Sequence, residues 1–288
     1  MNTNYSIDVI IPVKERYNLL LNALESIQNQ TITPNNVWII DDCSNEEINN
    51  FKNYKFKINL IRNTSNKGPS YSCNLAAKKS SSKYIAILET DDLWKPTKIE
   101  KQLIKAENND LDFVYCNYFT NKNKNNQKFS NDKKEVIDLL LKMWSCPNPS
   151  TFLFKRNSFL LLKGFDETMI GTHDHDLWIR LAQSNLKFDF VNEYLVEIED
   201  YNPNQMSRDY RQRIESINHF CLKHKEFIIN KRSDNFYNSY KKELLARALM
   251  PGIKKSIKEL DILGFFKILW FIVFSKVFYR RLKQYFKI

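Results

Sequence analysis

Three groups of residues in this chain have the types and spacing to do chemistry. Glu89-Thr90-Asp91-Asp92 places three carboxylates within four residues, Asp41-Asp42 sets two side by side, and His173-Asp174-His175-Asp176 alternates imidazole with carboxylate. Carboxylates so close repel one another unless something positive is bound. Hard oxygen ligands suit Mg2+ or Mn2+, which keeps water and bridges to substrate phosphates. The chain has five glycines, none spaced as GxGxxG or GxxxxGK[ST], so a cation is the expected device for holding a diphosphate. In the His/Asp run, adjacent side chains alternate direction in extended chain and no remote Cys or His pair completes a zinc set, so a general base is expected there. Asp176 directly precedes an apparent helix and reads as its N-cap, leaving Asp174 as the base. The competing reading of the acidic clusters is a solvated turn, since Asp is common where strands end.

These residues need elements to position them. From Ile7 the sequence alternates short apolar, β-branched runs with helix-period segments, the pattern of an α/β domain with a mostly parallel central sheet flanked by helices. Ile7 to Val13, Val37 to Ile40, Ile58 to Ile61, Tyr84 to Leu88, Phe113 to Cys116 and Thr151 to Phe154 read as strands. Leu19, Leu20, Ala23, Leu24 and Ile27 recur at helical spacing, as do Ile99, Leu103 and Ala106 behind Pro96. Ser44 with Glu47 forms a capping-box pattern for a short helix, Asn117 to Lys134 reads as a long surface loop, and Val136 to Met143 and Leu177 to Ala182 read as helices. Both acidic clusters thus fall at carboxyl ends of strands, where open α/β sheets bind ligands.

Charge divides the chain. The formal net charge is +11 and the pI is about 9.2, which invites a nucleic-acid reading. Residues 1 to 200 hold 25 basic and 26 acidic side chains, whereas 201 to 288 hold 19 and 7. The basicity sits in a region expected to be helical over 208 to 250 and heavily apolar beyond it, so no nucleic-acid partner is expected. Five cysteines without CxxC spacing indicate neither a disulfide framework nor a structural zinc site, and they fit a reducing compartment. The start MNTNYSIDVIIPV lacks a basic n-region and a long apolar run, so a cytoplasmic protein is expected.

The strings DVIIPVKERYNLLLNALESIQNQT, WIIDDCS, NKGPSYSCNLA, YIAILETDDLWKPTKIEKQ, PSTFLFKRNSF, GFDE and HDHDLWIRLA, in this order and spacing, resemble the family 2 glycosyltransferases of the GT-A fold over residues 6 to 185. The resemblance implies an inverting transferase that uses a nucleotide diphosphate sugar, UDP-linked by family likeness, and a divalent Mn2+ or Mg2+ ion. It implies that Pro12 and Val13 line the nucleotide pocket, that Asp42 contacts the base, and that Asn74, Glu89, Thr90 and Asp91 also serve the donor. Asp91 and Asp92 fall in the DxD-type element that holds the metal, and Asp174 falls at the position of the catalytic base. Glu89, Cys73 and His173 stand where the family often has Asp, Arg and Glu. A nucleotidyltransferase and a catalytically silent scaffold of the same fold are the alternatives.

The domains expected are a catalytic one over 1 to 200 and a basic helical region over 201 to 288. On an ideal helix at ~100° per residue, Phe271, Phe274, Phe278, Leu282 and Tyr285 share one face and Lys276, Arg280, Lys283 and Lys287 the opposite one. Lys267 and Lys276 bracket an apolar stretch too short to span a bilayer. The segment 261 to 288 is expected to lie on an anionic membrane surface; packing on the catalytic domain or a second subunit is the alternative. A peripheral enzyme on the inner face of the plasma membrane points, through the resemblance, to a lipid-linked saccharide acceptor in surface-polysaccharide synthesis.

Overall fold

A computed structural model describes residues 5–49, 51–120, 130–143, 146–169, 171–199 and 210–258. The amphipathic segment expected over 261 to 288 lies outside the described residues, as do residues 121–129 of the expected surface loop. Two compact units are formed, one by Met1–Glu167 with His173–Tyr201 and the other by Thr168–Thr172 with Asn202–Ile288.

The first unit is built on one eight-stranded sheet. Its strands are β1 (Ile7–Val13), β2 (Asn36–Asp41), β3 (Lys57–Arg62), β4 (Tyr84–Ile87), β5 (Leu93–Trp94), β6 (Phe113–Thr120), β7 (Leu153–Lys155) and β8 (Phe188–Ile198), in the spatial order β3-β2-β1-β4-β7-β6-β8-β5. The β3-β2-β1-β4 half is parallel; β1 and β4 are fully buried and β2 mostly so, whereas β3 at the edge is partly exposed. β7 lies antiparallel between β4 and β6, β6 and β8 are parallel, and β5 closes the far edge antiparallel to β8.

Every residue of β1 is buried, including one charge. The Asp8 carboxylate accepts from Asn36 Nδ2 (2.8 Å), Trp38 Nε1 (2.9 Å), Ser80 Oγ (2.6 Å) and Ser82 Oγ (2.8 Å). These four donors replace its water, the condition for burying a carboxylate. Helix α1 (Tyr17–Gln28) turns Leu20, Ala23, Leu24 and Ile27 into the core. α2 (Pro69–Lys79) starts with a proline, and α3 (Lys98–Asn108) buries Ile99, Leu103 and Ala106 as their spacing predicts. α4 (Lys133–Met143), α5 (Arg156–Leu161) and α6 (His173–Gln183) complete this unit.

The loop expected from Asn117 does not start there, because Asn117 to Thr120 pair with β8 and continue β6, and three other local expectations fail for identifiable reasons. No helix follows Ser44, whose hydroxyl instead donates to Asp41 Oδ1 (2.6 Å) and accepts from the Glu15 amide (2.9 Å). Asp176 is not an N-cap: α6 begins at His173, so Asp176 lies in its first turn, fully buried against the Arg180 guanidinium (2.7 Å). Strand β8 has no counterpart among the expected elements, because its apolar residues are interrupted by charges. Those charges pair with Lys95 and α3: Lys95 with Glu197 (3.3 Å), Lys101 with Glu193, and Lys105 with Asp189 (2.6 Å).

In the second unit α7 (Tyr210–Lys223), α8 (Lys225–Lys231) and α9 (Asp234–Lys258) pack together through Ile217, Phe220, Cys221, Ile228, Tyr237, Tyr240 and Leu244. No helix among the described residues is long and apolar enough to cross a membrane.

Lys98, at the start of α3, is fully buried, with Nζ 3.2 Å from the Phe152 carbonyl and 3.7 Å from the centre of the Trp94 ring. Burial pushes its ammonium down from 10.5 to about 7. Between those values the unfolded chain holds a proton that the folded chain has released, so this group makes stability rise with pH; below about 7 both states carry the proton and the slope vanishes. The difference in unfolding free energy between wild type and Lys98→Met, measured by urea denaturation, is expected to shift in favour of wild type as pH rises from 7 to 10.5. A difference independent of pH would show that Lys98 keeps its proton in the folded chain.

Candidate active site

The site grows from the carboxyl ends of β1, β2 and β4. Register sets Val13 opposite Asp41 and Ile10 opposite Ile87, so the turns after these strands meet on one side of the sheet. Pro12 and Val13 are buried at the end of β1, and Thr90 Oγ1 donates to the Pro12 carbonyl (2.7 Å). Two non-glycine residues there adopt left-handed backbone, Glu15 at φ 53° and Cys43 at φ 63°. Such strain, on the order of 1–3 kcal/mol each, persists only where surrounding contacts enforce it. Here Glu15 accepts from the Asn45 amide (2.7 Å) and donates its own amide to Ser44.

The two aspartates after β2 differ in duty. Asp41 pairs with Arg62 (3.1 Å) and Ser44. Asp42 accepts from Asn63 Nδ2 (2.9 Å) and from the amides of Lys67 and Gly68 (2.7 Å each), which pins the loop entering α2. A carboxylate has about four acceptor positions, so Asp42 keeps capacity for a base. Asn74 spends three of its four positions within the fold. It is 4% exposed; its Nδ2 donates to the Phe165 carbonyl (2.8 Å) and to Glu167 (2.9 Å), and its Oδ1 accepts from the Phe165 amide (2.9 Å). The residue expected to serve the donor also staples α2 to the Gly164-Phe165 turn. Gly164, at φ +62°, fits there because a Cβ would come 2.1 Å from Asn74 Oδ1.

The acidic cluster after β4 and the one on α6 are held by a single strap, Cys146-Pro147-Asn148-Pro149-Ser150. A residue before proline is driven to extended backbone, and Asn148 is so, at φ −69° and ψ 146°. Asn148 then caps a single 3-10 turn over Pro149–Thr151, its Oδ1 accepting from the Ser150 amide (2.7 Å). Cys146 Sγ lies 3.4 Å from Asp174 Oδ2, Asn148 Nδ2 donates to Glu89 Oε2 (2.8 Å), and Ser150 Oγ donates to Asp92 Oδ2 (2.5 Å). Ser150 Oγ also accepts from the Glu89 amide (2.9 Å). Asp91 is reached from the other side by Arg16, at 2.7 Å. Its side chain is 11% exposed, whereas Asp92, as a residue, is 2% exposed and also takes the Glu199 amide (3.3 Å).

Burial, then the charges of Asp91 and Asp174, push the Glu89 carboxyl up to about 7 against the opposing Asn148 hydrogen bond. Asp92 is raised by burial and by Glu89. Burial would raise Asp174 too, but the charge and hydrogen bonds of His175, aided by His173, hold it well below the usual carboxylate range. His175 Nδ1 lies 2.8 Å from Asp174 Oδ1. The turn after β4 thus gathers oxygen donors alone, the donor type that suits Mg2+ or Mn2+, whereas the three-residue group whose ligand atoms lie within 4.8 Å of one another among the described residues is Cys146, Asp174 and His175. Arg16, Cys146, Asn148 and Ser150 were not singled out by sequence pattern, although Pro149 signals both the extended Asn148 before it and the turn that it opens.

A family model described as glycosyl transferase family 2 matches residues 8–172. The chain belongs to that family, and it is a glycosyltransferase. A glycosyltransferase of Methanocaldococcus jannaschii, MJ1057, is 32% identical over 229 residues, covering 72% of this chain and 78% of that one. The Escherichia coli protein WfgD, a UDP-Glc:alpha-D-GlcNAc-diphosphoundecaprenol beta-1,3-glucosyltransferase, is 27% identical over 186 residues, covering 63% of this chain and 72% of its own. In fold, the chain is similar to the mannosyltransferase PcManGT of Pyrobaculum calidifontis, solved with GDP-Man and Mn2+, with a TM-score of 0.56 at 15% identity over 90% of this chain and 76% of that one. The fold is the expected GT-A fold, with four parallel and three antiparallel strand pairings.

Ser150→Ala strips Asp92 of its hydroxyl donor and leaves the Glu89 amide unpaired in a buried place. It is expected to cost about 1–3 kcal/mol of stability, read as a lowered urea midpoint. An unchanged midpoint would mean that the strap does not hold the acidic turn.

Proposed function

We propose that the chain moves a hexose or N-acetylhexosamine from a nucleotide diphosphate sugar, UDP-linked, to a lipid-linked saccharide in one inverting displacement. The observation that carries this is the strap, which gathers the metal-side carboxylates and Asp174 around one place: its Cys146 end touches Asp174 and its Ser150 end touches Asp92.

Asp174 is the general base. Its Oδ1 is engaged by His175, and Oδ2, beside the weakly donating Cys146 thiol at 3.4 Å, accepts the proton of an acceptor hydroxyl as the hydroxyl oxygen attacks the anomeric carbon. The imidazoles around Asp174 keep it ionised and ready to accept. Asp91, the partly exposed carboxylate, faces the metal; Asp92 shapes the turn behind it and is the second candidate ligand. A Mg2+ or Mn2+ ion held there supplies charge compensation for the departing nucleoside diphosphate. Arg16, bonded to Asp91, is placed to meet the same phosphates. Pro12, Val13, Thr90 and Asp42 border the base and ribose side, and Glu89 faces the donor beside them.

The acceptor class is supported by WfgD, whose name specifies a diphosphoundecaprenol-linked sugar, and by the basic, apolar C-terminal stretch. A catalytic domain over 1 to 200 with a basic helical region after it would then work peripherally on the anionic inner face of the plasma membrane, in O-antigen or capsule synthesis. No nucleic acid takes part.

Asp174→Asn is expected to lower kcat by about 10²–10⁴-fold with the urea midpoint and donor binding kept; full turnover would refute the base. Thermal shift against nucleotide diphosphate sugars should show stabilisation that requires Mn2+ or Mg2+ and is lost in Asp91→Asn. Release of nucleoside diphosphate supports sugar transfer, and release of pyrophosphate would instead establish a nucleotidyltransferase. Removal of residues 261 to 288 should release the protein from vesicles containing anionic lipid; unchanged binding would rule out that anchor.

A further inference from the structure

A thiol, an imidazole and a carboxylate meet at the start of α6, although their sequence spacing gives no such sign. Cys146 lies on the strap, 28 residues before Asp174. Its Sγ is 3.4 Å from Asp174 Oδ2 and 3.6 Å from His175 Nδ1, and Nδ1 is 2.8 Å from Asp174 Oδ1. One ligand atom from each lies within 4.8 Å of the others. Bonds of ~2.3 Å to sulfur and ~2.05 Å to nitrogen at a tetrahedral angle require an S···N separation of ~3.6 Å. That is the distance present. The set is also reachable: Cys146 is half-buried, and the side chains of Asp174 and His175 are 23% and 12% exposed.

We propose that Cys146, Asp174 and His175 form a binding site for a thiophilic divalent ion of the Zn2+ type, distinct from the oxygen-only metal site at Asp91 and Asp92, and that its occupation shuts off the base. A thiolate and an imidazole select Zn2+ or Co2+ over Mg2+ and Mn2+, which prefer oxygen ligands. Binding is balanced: the thiol proton leaves Sγ for solvent, and the ring nitrogen Nδ1 presents its lone pair, with any ring proton on Nε2. One thiolate and one carboxylate then neutralise the 2+ charge. Three protein ligands leave a fourth position for water, the open form of a zinc site. An Asp174 oxygen bound to the ion cannot take a proton from an acceptor hydroxyl. The binding site stands on geometry alone, whereas its effect on transfer rests on Asp174 as the base.

The test uses the full chain with excess Mg2+ to occupy the oxygen-only site. Co2+ should bind one per chain and produce sulfur-to-cobalt charge-transfer absorption in the near ultraviolet, which Zn2+ displaces. The absorption should vanish in Cys146→Ser and persist in Cys43→Ser. Independently of any variant's folding, Zn2+ should slow alkylation of Cys146 in the wild-type chain by about tenfold or more, read by mass spectrometry, and leave Cys43 unaffected. Absence of the absorption in wild type, its persistence in Cys146→Ser, or unprotected Cys146 would overturn the site. Transfer is then measured against Zn2+ in each protein relative to its own zinc-free rate, with inhibition expected in wild type and weakened in Cys146→Ser. Zinc bound through the thiolate with transfer unimpaired would uphold the site and overturn Asp174 as the base.

Discussion

Four carboxylates, Glu89, Asp91, Asp92 and Asp174, are gathered where water is scarce, and the chain must stop them from driving one another apart. Burial first, and their mutual repulsion second, raise the carboxyls of Glu89 and Asp92. Three devices oppose that repulsion. Arg16 offsets Asp91, imidazoles offset Asp174, and the CPNPS strap supplies neutral donors to Glu89 and Asp92. Neutral donors hold a carboxylate in place without removing its charge, so the site keeps its affinity for a cation. Around this the rest of the first unit is arranged: strand ends aim the turns, Thr90 fastens the acidic turn to β1, and Asn74 fastens α2 to the segment leading toward α6.

What the sequence made legible follows from physical distinctness. Parallel strands buried on both faces must be apolar runs, so β1, β2, β4 and the start of β6 stand out, and the acidic clusters at their ends point to the site. Helix α3 announces itself by spacing. Strand β8 was hidden because Asp189, Glu193 and Glu197 break its apolar character, yet those residues are satisfied by lysines of α3 and the turn before it, a partnership that exists only after folding.

Roles of single polar side chains were less legible than elements. Asn74 has the composition of a ligand contact, and its amide also binds the Phe165 backbone and Glu167. Ser44 matched a capping pattern, yet a buried Asp41 claimed its hydroxyl. Asp176 stood one turn further into α6 than apolar spacing suggested, because polar His173 and Asp174 also belong to that helix. Cys146 was silent because sequence distance conceals a contact that the strap creates. In each case a partner remote in the chain decided what a short-range rule could not.

The ends of the sheet carry a consequence of their own. A strand edge is an open template for another chain. β5, at one end, is two residues long, and β3, at the other, presents exposed Lys57 and Arg62 on either side of its exposed Leu60. An incoming strand would find too short a ladder on one side and repelling like charge on the other. Copies of this domain crowded side by side are thereby discouraged from joining into a continuous sheet through these two strands.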